Sequence, residues 1–259
     1  MCGKRLAVLI RMNIDILYDE KELGIEADVR EKLIRISPAT IDRMLVSDRR
    51  KLALNGRSHT RAGIFLKHQI PIRVFYDWDE RKPGFFELDT VAHDGGVSSG
   101  EYCFTLNATD VYSGWVELGP LQNRAHRWVK EQTEGIREEL PFLLIRTVSY
   151  YRFDTKQESE TLGEVYRYLC PLLNFYYPSV RIIEKIIIGA WVKKIYDEPK
   201  PPYVRLLKSA DIEVSVKEEL RGRAAKIHVV KQKRLFDKAV AKPMRIYEQK
   251  VQGHLPFEQ

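Results

Sequence analysis

The chain has 259 residues, 44% of them hydrophobic, with 43 Lys and Arg against 36 Asp and Glu and a net charge of +7. Length and apolar content allow one large domain or two to three small ones with true cores, and the basic balance favours an anionic partner such as a phosphate backbone. Cys2, Cys103 and Cys170 fit no zinc or disulfide spacing, which points to a reduced, intracellular protein, and the apolar run Leu6-Ala7-Val8-Leu9-Ile10, cut by Arg11, is too short for a membrane span.

In chain order, Glu26 to Ile36 places Val29, Leu33 and Ile36 on one helical face. Ser37 is placed to cap a second helix and Pro38 to open it. That helix would carry Thr40 and Arg43 outward and Ile41, Met44 and Leu45 inward. Two short helices joined at Ser37 suit a helix-turn-helix, whose second helix points its N-terminal end at base edges, although many helical hairpins share the spacing. Arg49, Arg50, Lys51, Arg57, Arg61 and Lys67 follow as a basic stretch, which by itself reads as a solvated loop. Residues 77–83 read as a linker.

From Phe85 the pattern turns to strands. Phe86, Leu88 and Thr90 alternate with Glu87, Asp89 and Val91; Asp94-Gly95-Gly96 and Ser98-Ser99-Gly100 make a turn; Tyr102 to Leu106 is a second strand. A second turn at Asp110 to Gly114 leads into Trp115 to Leu118, which completes an antiparallel meander. Gly119-Pro120 breaks it, Asn123 to Leu140 has helical spacing, and Phe142-Leu143-Leu144 is strand-like. Asp89 falls in the middle of an apolar strand, where a carboxylate is costly unless something uses it. Asp110 would lie opposite roughly Phe85, on the order of 13 Å along the strand from Asp89, and reads as a turn cap. His93 reads as a satisfied loop histidine or a DNA contact.

Glu158 to Tyr177 is helix-like, with Tyr166, Tyr168, Phe175, Tyr176 and Tyr177 forming core or a partner face. Pro199, Pro201 and Pro202 predict an extended connector. Beyond it, Arg221, Arg223, Lys226, Lys231, Lys233, Arg234, Lys238 and Lys242 form a cationic region, either a nonspecific DNA grip or a loosely ordered tail.

The wording LIRISPATIDRML, FFELDTVAHDGG, TDVYSGWVEL and NRAHRWV resembles DDE-type transposases and retroviral-like integrases. The resemblance runs from Cys2 to about Ser209. It implies an α/β fold: an incomplete ribonuclease H-like domain (three-stranded antiparallel meander plus helices) over 84–188. An N-terminal helix-turn-helix region over 1–83 would precede it and a basic C-terminal region over 189–259 would follow. It makes Asp89 the first of three metal-binding acids, and Thr40, Arg43, Arg49, Arg50, Lys51 and Arg57 the DNA contacts. Intact relatives are expected to use Mg²⁺ for DNA cleavage and strand transfer, with double-stranded DNA at mobile-element ends and further copies of the chain as partners, and no membrane. A cytoplasmic, nucleoid-associated protein is implied.

The second acid of that family lies in an Asp-Asn-Gly pattern, which occurs nowhere here. Residues from Ile145 to Thr155 look like what relatives carry after the helix bearing the third acid, so an internal deletion near Leu144 to Arg146 is expected. Glu248-Gln249-Lys250 echoes the surroundings of the third acid but lies in the tail after Pro243. Two readings stay open: an enzyme whose missing acids come from elsewhere, or a DNA-binding remnant in which Asp89 holds metal weakly or not at all.

Overall fold

The computed structural model describes residues 1–51, 82–97, 99–136, 151–188 and 191–253. Its helices are α1 (Gly3–Asp19), α2 (Ala27–Arg35), α3 (Pro38–Met44), α4 (Val46–Lys51), α5 (His126–Ile136), α6 (Lys156–Pro171), α7 (Pro202–Lys208), α8 (Val214–Lys226) and α9 (Val229–Val251). Its strands are β1 (Phe86–Ala92), β2 (Phe104–Asp110), β3 (Val116–Leu121), β4 (Ile182–Ile188) and β5 (Trp191–Tyr196). The chain forms two compact units: residues 1–53, 113–115 and 168–236, and residues 54–112, 116–167 and 237–259. Among the described residues no helix is long and apolar enough to cross a membrane. Arg57 and the expected linker and strand stub at 77–81 and 142–144 lie outside the described residues, as does the expected deletion point.

In the first unit, α1 packs on both α2 and α3. Ala7, Ile14 and Ile41 are buried at this junction, and Gly3 approaches α3 so closely that a Cβ there would lie 2.1 Å from the Pro38 carbonyl oxygen. The run broken by Arg11 in sequence is the middle of α1, and Arg11 itself reaches across to donate to the carbonyls of Ile34 (2.9 Å) and Ile36 (3.2 Å). It thereby satisfies acceptors left open where α2 ends. A π-helical turn, Leu172–Tyr176, extends α6, and Leu172 is buried with Val229 and Val230 against Leu17, Tyr176, Tyr177 and Phe236. The aromatic series of this stretch is thus mainly core.

Pro201 is extended, but Pro202 opens α7 at its first turn, where the missing N–H costs nothing. The cationic C-terminal region, expected as a grip or a loose tail, is helical over α8 and α9. Helix α9 continues through Pro243 and gives up the ladder bond that this residue cannot donate.

The second unit is built on a three-stranded antiparallel sheet in the order β1-β2-β3. Register pairs Phe86 with Asp110, Asp89 with Asn107, and Leu106 with Gly119. Because paired residues share a face and neighbours alternate, Phe86, Leu88, Phe104, Leu106, Asp110 and Leu121 lie on one face, and Asp89, Val91, Thr105, Asn107 and Leu118 on the other. Helix α5 covers the first face, with Trp128 and Val129 against Phe104, Leu106 and Leu121, whereas Leu88 stays 51% exposed. On the second face, Tyr166 of α6 hydrogen-bonds Thr105, and Gly163 sits against Pro120.

Among the described residues β2 is the strand of this sheet with a neighbour on each side, and it is buried along its whole length. This explains why it runs on through Asn107 to Asp110, beyond the apolar Tyr102–Leu106 core of the pattern. Strand β3 likewise runs through Gly119-Pro120, expected as a break; among the described residues it is an edge of the sheet, where a proline is tolerated.

Candidate nucleic-acid interface

The turn between α2 and α3 is defined by side chains from three directions. Ser37 Oγ accepts the Thr40 backbone N–H at 3.1 Å, an N-cap worth about 1 kcal/mol. From the far side, Asp42 Oδ1 accepts the Gly3 N–H at 2.7 Å and Arg49 Nη1 at 2.7 Å. The Arg49 hydrogen bond, then that of Gly3, holds the Asp42 carboxyl below the usual carboxylate range. Arg49 also donates to the Met1 carbonyl at 2.8 Å. Of the sequence-predicted DNA contacts, Arg49 is therefore a brace between α1, α3 and α4.

The others are distributed differently. Thr40 is half-buried, with its hydroxyl 2.9 Å from Ser37 Oγ, and exposed Arg43 donates to that hydroxyl at 3.3 Å. Arg50 and Lys51 are exposed at the end of α4. Met44, expected inward, is 66% exposed: α1 meets α3 along the edge formed by Pro38, Ile41 and Asp42, and Met44 faces away from it.

Asp89 is exposed, as are Glu87 and Leu88, on β1, whose one strand neighbour among the described residues is β2. The desolvation cost expected of a carboxylate in an apolar strand does not arise, and Asp89 Oδ1 accepts the adjacent Thr90 N–H at 2.8 Å. Asp110 is fully buried and accepts the Gly84 N–H at 2.7 Å, a contact made ahead of β1 and not in the turn that follows Asp110. It pairs with Phe86, so its side chain leaves the sheet on the face opposite to that of Asp89. Separation along the strand and opposite facing both prevent the two from sharing an ion. Among the described residues no group of three or more His, Cys, Asp or Glu is placed to hold a metal.

The ionisable groups that do converge in this unit are locked together. His93 is buried with Nε2 at 2.7 Å from Thr105 Oγ1, which in turn contacts the Tyr166 hydroxyl, and burial lowers its pKa to about 4. It is the satisfied loop histidine. Arg152 donates to the carbonyls of Val97 (2.8 Å), Ser99 (2.9 Å) and Glu101 (3.0 Å) and so closes the β1–β2 loop. Lys250, 1% exposed, sends Nζ to Asp154 Oδ1 at 2.8 Å and Glu158 Oε1 at 2.9 Å. Burial opposes its charge, but the hydrogen bonds to Asp154 and Glu158 outweigh that and raise its pKa. Burial and then Glu158 push the neighbouring Cys103 thiol up to about 12.

Sequence reasoning set Lys250 aside with its tail. Thr155-x-x-Glu158 is a capping box legible in sequence, in which the Thr155 N–H donates to Glu158 at 2.9 Å and the Glu158 N–H to the Thr155 hydroxyl at 3.2 Å, but it carries no sign of Lys250.

An uncharacterised protein, y4rM, of Sinorhizobium fredii (strain NBRC 101917 / NGR234) is 29% identical over 256 aligned residues, which take in 79% of this chain and 73% of that protein. Since 79% of 259 residues is fewer than 256, the alignment opens gaps in this chain. No family model and no solved structure matches.

Proposed function

We propose that this chain is a DNA-binding remnant of a DDE-type transposase or integrase, whose helical N-terminal segment engages double-stranded DNA and whose ribonuclease H-like sheet no longer supports strand transfer. The observation that carries the reading is the α2–α3 turn. A Ser37-capped helix held against α1 by the Gly3–Asp42 contact is a rigid way to present Thr40 and Arg43, and Arg50 and Lys51 stand exposed one helix further on. The absence of Asp-Asn-Gly from the sequence is what an internal deletion would leave.

Catalysis in this family requires acids from separate elements to clamp metal ions at the scissile phosphate. Here Asp89 faces solvent from β1, Asp110 leaves the opposite face, and Asp154 and Glu158 are engaged by Lys250. The remnant would compete with an intact enzyme for the same DNA ends.

The test is a fluorescence-anisotropy titration of the full chain against short duplexes over a salt series. Steeply salt-dependent binding is expected. Arg50→Ala with Lys51→Ala should weaken binding to every sequence, and Arg43→Ala should reduce preference among sequences. No binding at low salt would end the proposal.

A further inference from the structure

Strands β4 and β5 form a two-stranded antiparallel ribbon within the first unit, and its root and its shaft differ sharply. At the root, Arg205 is 5% exposed and donates to Asp197 (3.1 and 3.2 Å), to the Ser179 hydroxyl and carbonyl (both 2.7 Å), to the Lys200 carbonyl (2.9 Å) and to the Ser113 carbonyl (3.2 Å). Asp197 in turn accepts the Arg181 N–H at 2.7 Å, which ties the two ends of the ribbon together. Such a clamp fixes where the ribbon leaves the unit.

Among the described residues the shaft has no comparable clamp. Trp191 is 82% exposed, Val192 53% and Tyr196 50%, and Lys193 and Lys194 are exposed between them. An isolated two-stranded ribbon is marginal in water, so one exposed on both faces is suited to being completed by a partner.

Charge decides among partners. Lys194 pairs in register with Lys185, and Lys193 with Ile186. Glu184 is the one acid in the two strands, against three lysines. A second copy laid along this ribbon would bring lysine rows together, which is the usual device against edge-to-edge pairing. An anionic partner gains from the same rows. The lysines also alternate: Lys193 lies on the face with Trp191, and Lys194 on the face with Val192 and Tyr196. A flat anionic surface could meet one of these faces. A duplex groove presents two phosphate walls, and the major groove, about 12 Å wide, admits a two-stranded ribbon. Six residues of β5 span roughly 20 Å, enough to cross a groove about 8.5 Å deep with the root left outside.

We propose that the β4–β5 ribbon is a second DNA-binding element, which enters a duplex groove with Lys193 and Lys194 on the two opposing phosphate backbones and Trp191 toward the groove floor. The inference rests on the DNA-binding reading above but assigns it a surface separate from α3 and α4.

The experiment compares the full-length protein with Lys193→Gln/Lys194→Gln and with Trp191→Phe, by duplex anisotropy over a salt series and by tryptophan fluorescence. Loss of two phosphate contacts should flatten the log–log salt dependence by about 2 and weaken binding roughly tenfold or more at moderate salt. DNA should quench wild-type tryptophan emission and leave that of Trp191→Phe largely unchanged although this variant still binds. Wild-type binding with unaltered affinity and slope in the lysine variant, and equal quenching in Trp191→Phe, would overturn the ribbon proposal and leave the DNA-binding reading standing. No binding by the wild type would overturn both. A loss of sedimenting mass in the lysine variant without loss of DNA affinity would assign the ribbon to self-association and overturn the proposal. If the double lysine variant fails to fold, the Trp191→Phe quenching comparison decides the question alone.

Discussion

The two units of this protein treat charge in opposite ways. In the first, the buried charges, above all Arg205 with Asp197, sit at structural roots, whereas Arg43, Arg50, Lys51, Lys193 and Lys194 are exposed. In the second, Lys250, Glu158, Asp154 and His93 are turned inward and satisfied, whereas the one acid singled out for chemistry, Asp89, is left in water. The difference teaches that carboxylates near a sheet are not by themselves a metal centre. Asp154 and Glu158 would be plausible ligands on composition alone, but a lysine already occupies the space between them.

The comparison breaks most severely at Lys250. Lys250→Met should leave Glu158 buried without its cation, while Asp154 keeps Arg152 Nε at 3.0 Å, and cost about 3–5 kcal/mol, read as a large fall in the urea midpoint. Adding Glu158→Gln should recover part of that loss. The raised Lys250 pKa carries a pH signature. Its contribution is complete below the ordinary lysine value and is lost as pH rises through the folded one, so alkaline destabilisation should be shallower in Lys250→Met than in wild type. An unchanged melt would mean that the charges are not paired in solution.

In the first unit the corresponding weak point carries no charge. A methyl group at Gly3 would meet the Pro38 carbonyl oxygen at 2.1 Å and Asp42 Oδ2 at 2.7 Å. Backbone cannot yield as a flexible side chain can, so Gly3→Ala should cost about 1–3 kcal/mol and, on the DNA-binding reading, weaken duplex affinity by displacing α3. Gly119 provides the contrast. A Cβ there would meet the far end of Gln132, which can swing away, so Gly119→Ala should be far milder in thermal melts.

Asp42 sharpens the contrast in acid. Its pKa is depressed by Arg49 and then by the Gly3 N–H. Its contribution is therefore present above the ordinary aspartate value and is lost as pH falls through the folded value. Asp42→Asn should flatten the acid limb of stability for the α1–α4 helices, followed by hydrogen exchange at Ala7 and Ile41. The pair is partly exposed, so a small effect is expected, and Arg49→Ala should reproduce it.

Local chemistry made some of this legible in advance. Ser37-Pro38 marked the start of α3 because capping is written in adjacent residues, and the meander was legible because its turns carry their own Gly, Asp and Ser. The ribbon was not. Its strand IIEKIII lacks the alternation that marks a half-buried strand, and Gly189 read as the end of the core. Met44 has the spacing of an inward residue, but α1 meets α3 along Pro38, Ile41 and Asp42, and no residue near Met44 reveals which edge of so short a helix will be covered. Lys250 was beyond reach because its partners lie 92 and 96 residues away and nothing local announces them.

The smallest expected effect is at Asp89. It is exposed on β1, accepts a hydrogen bond from its neighbour Thr90, and faces away from Asp110. Asp89→Asn should therefore leave stability within about 0.5 kcal/mol of wild type, since the amide oxygen can still accept that bond and water solvates the rest. On the proposed reading it should leave duplex affinity unchanged as well, because neither the α2–α3 turn nor the β4–β5 ribbon contains it. A divalent ion held by one solvent-facing carboxylate keeps most of its water and binds weakly, so Mg²⁺ or Mn²⁺ should shift the thermal melt of wild type and Asp89→Asn equally. Metal-dependent strand transfer of a mobile-element end, abolished by Asp89→Asn, would instead show that other carboxylates complete the site. Glu87, on the same face and two residues away, would be the first to replace, because Asp154 would have to give up Lys250 to take part.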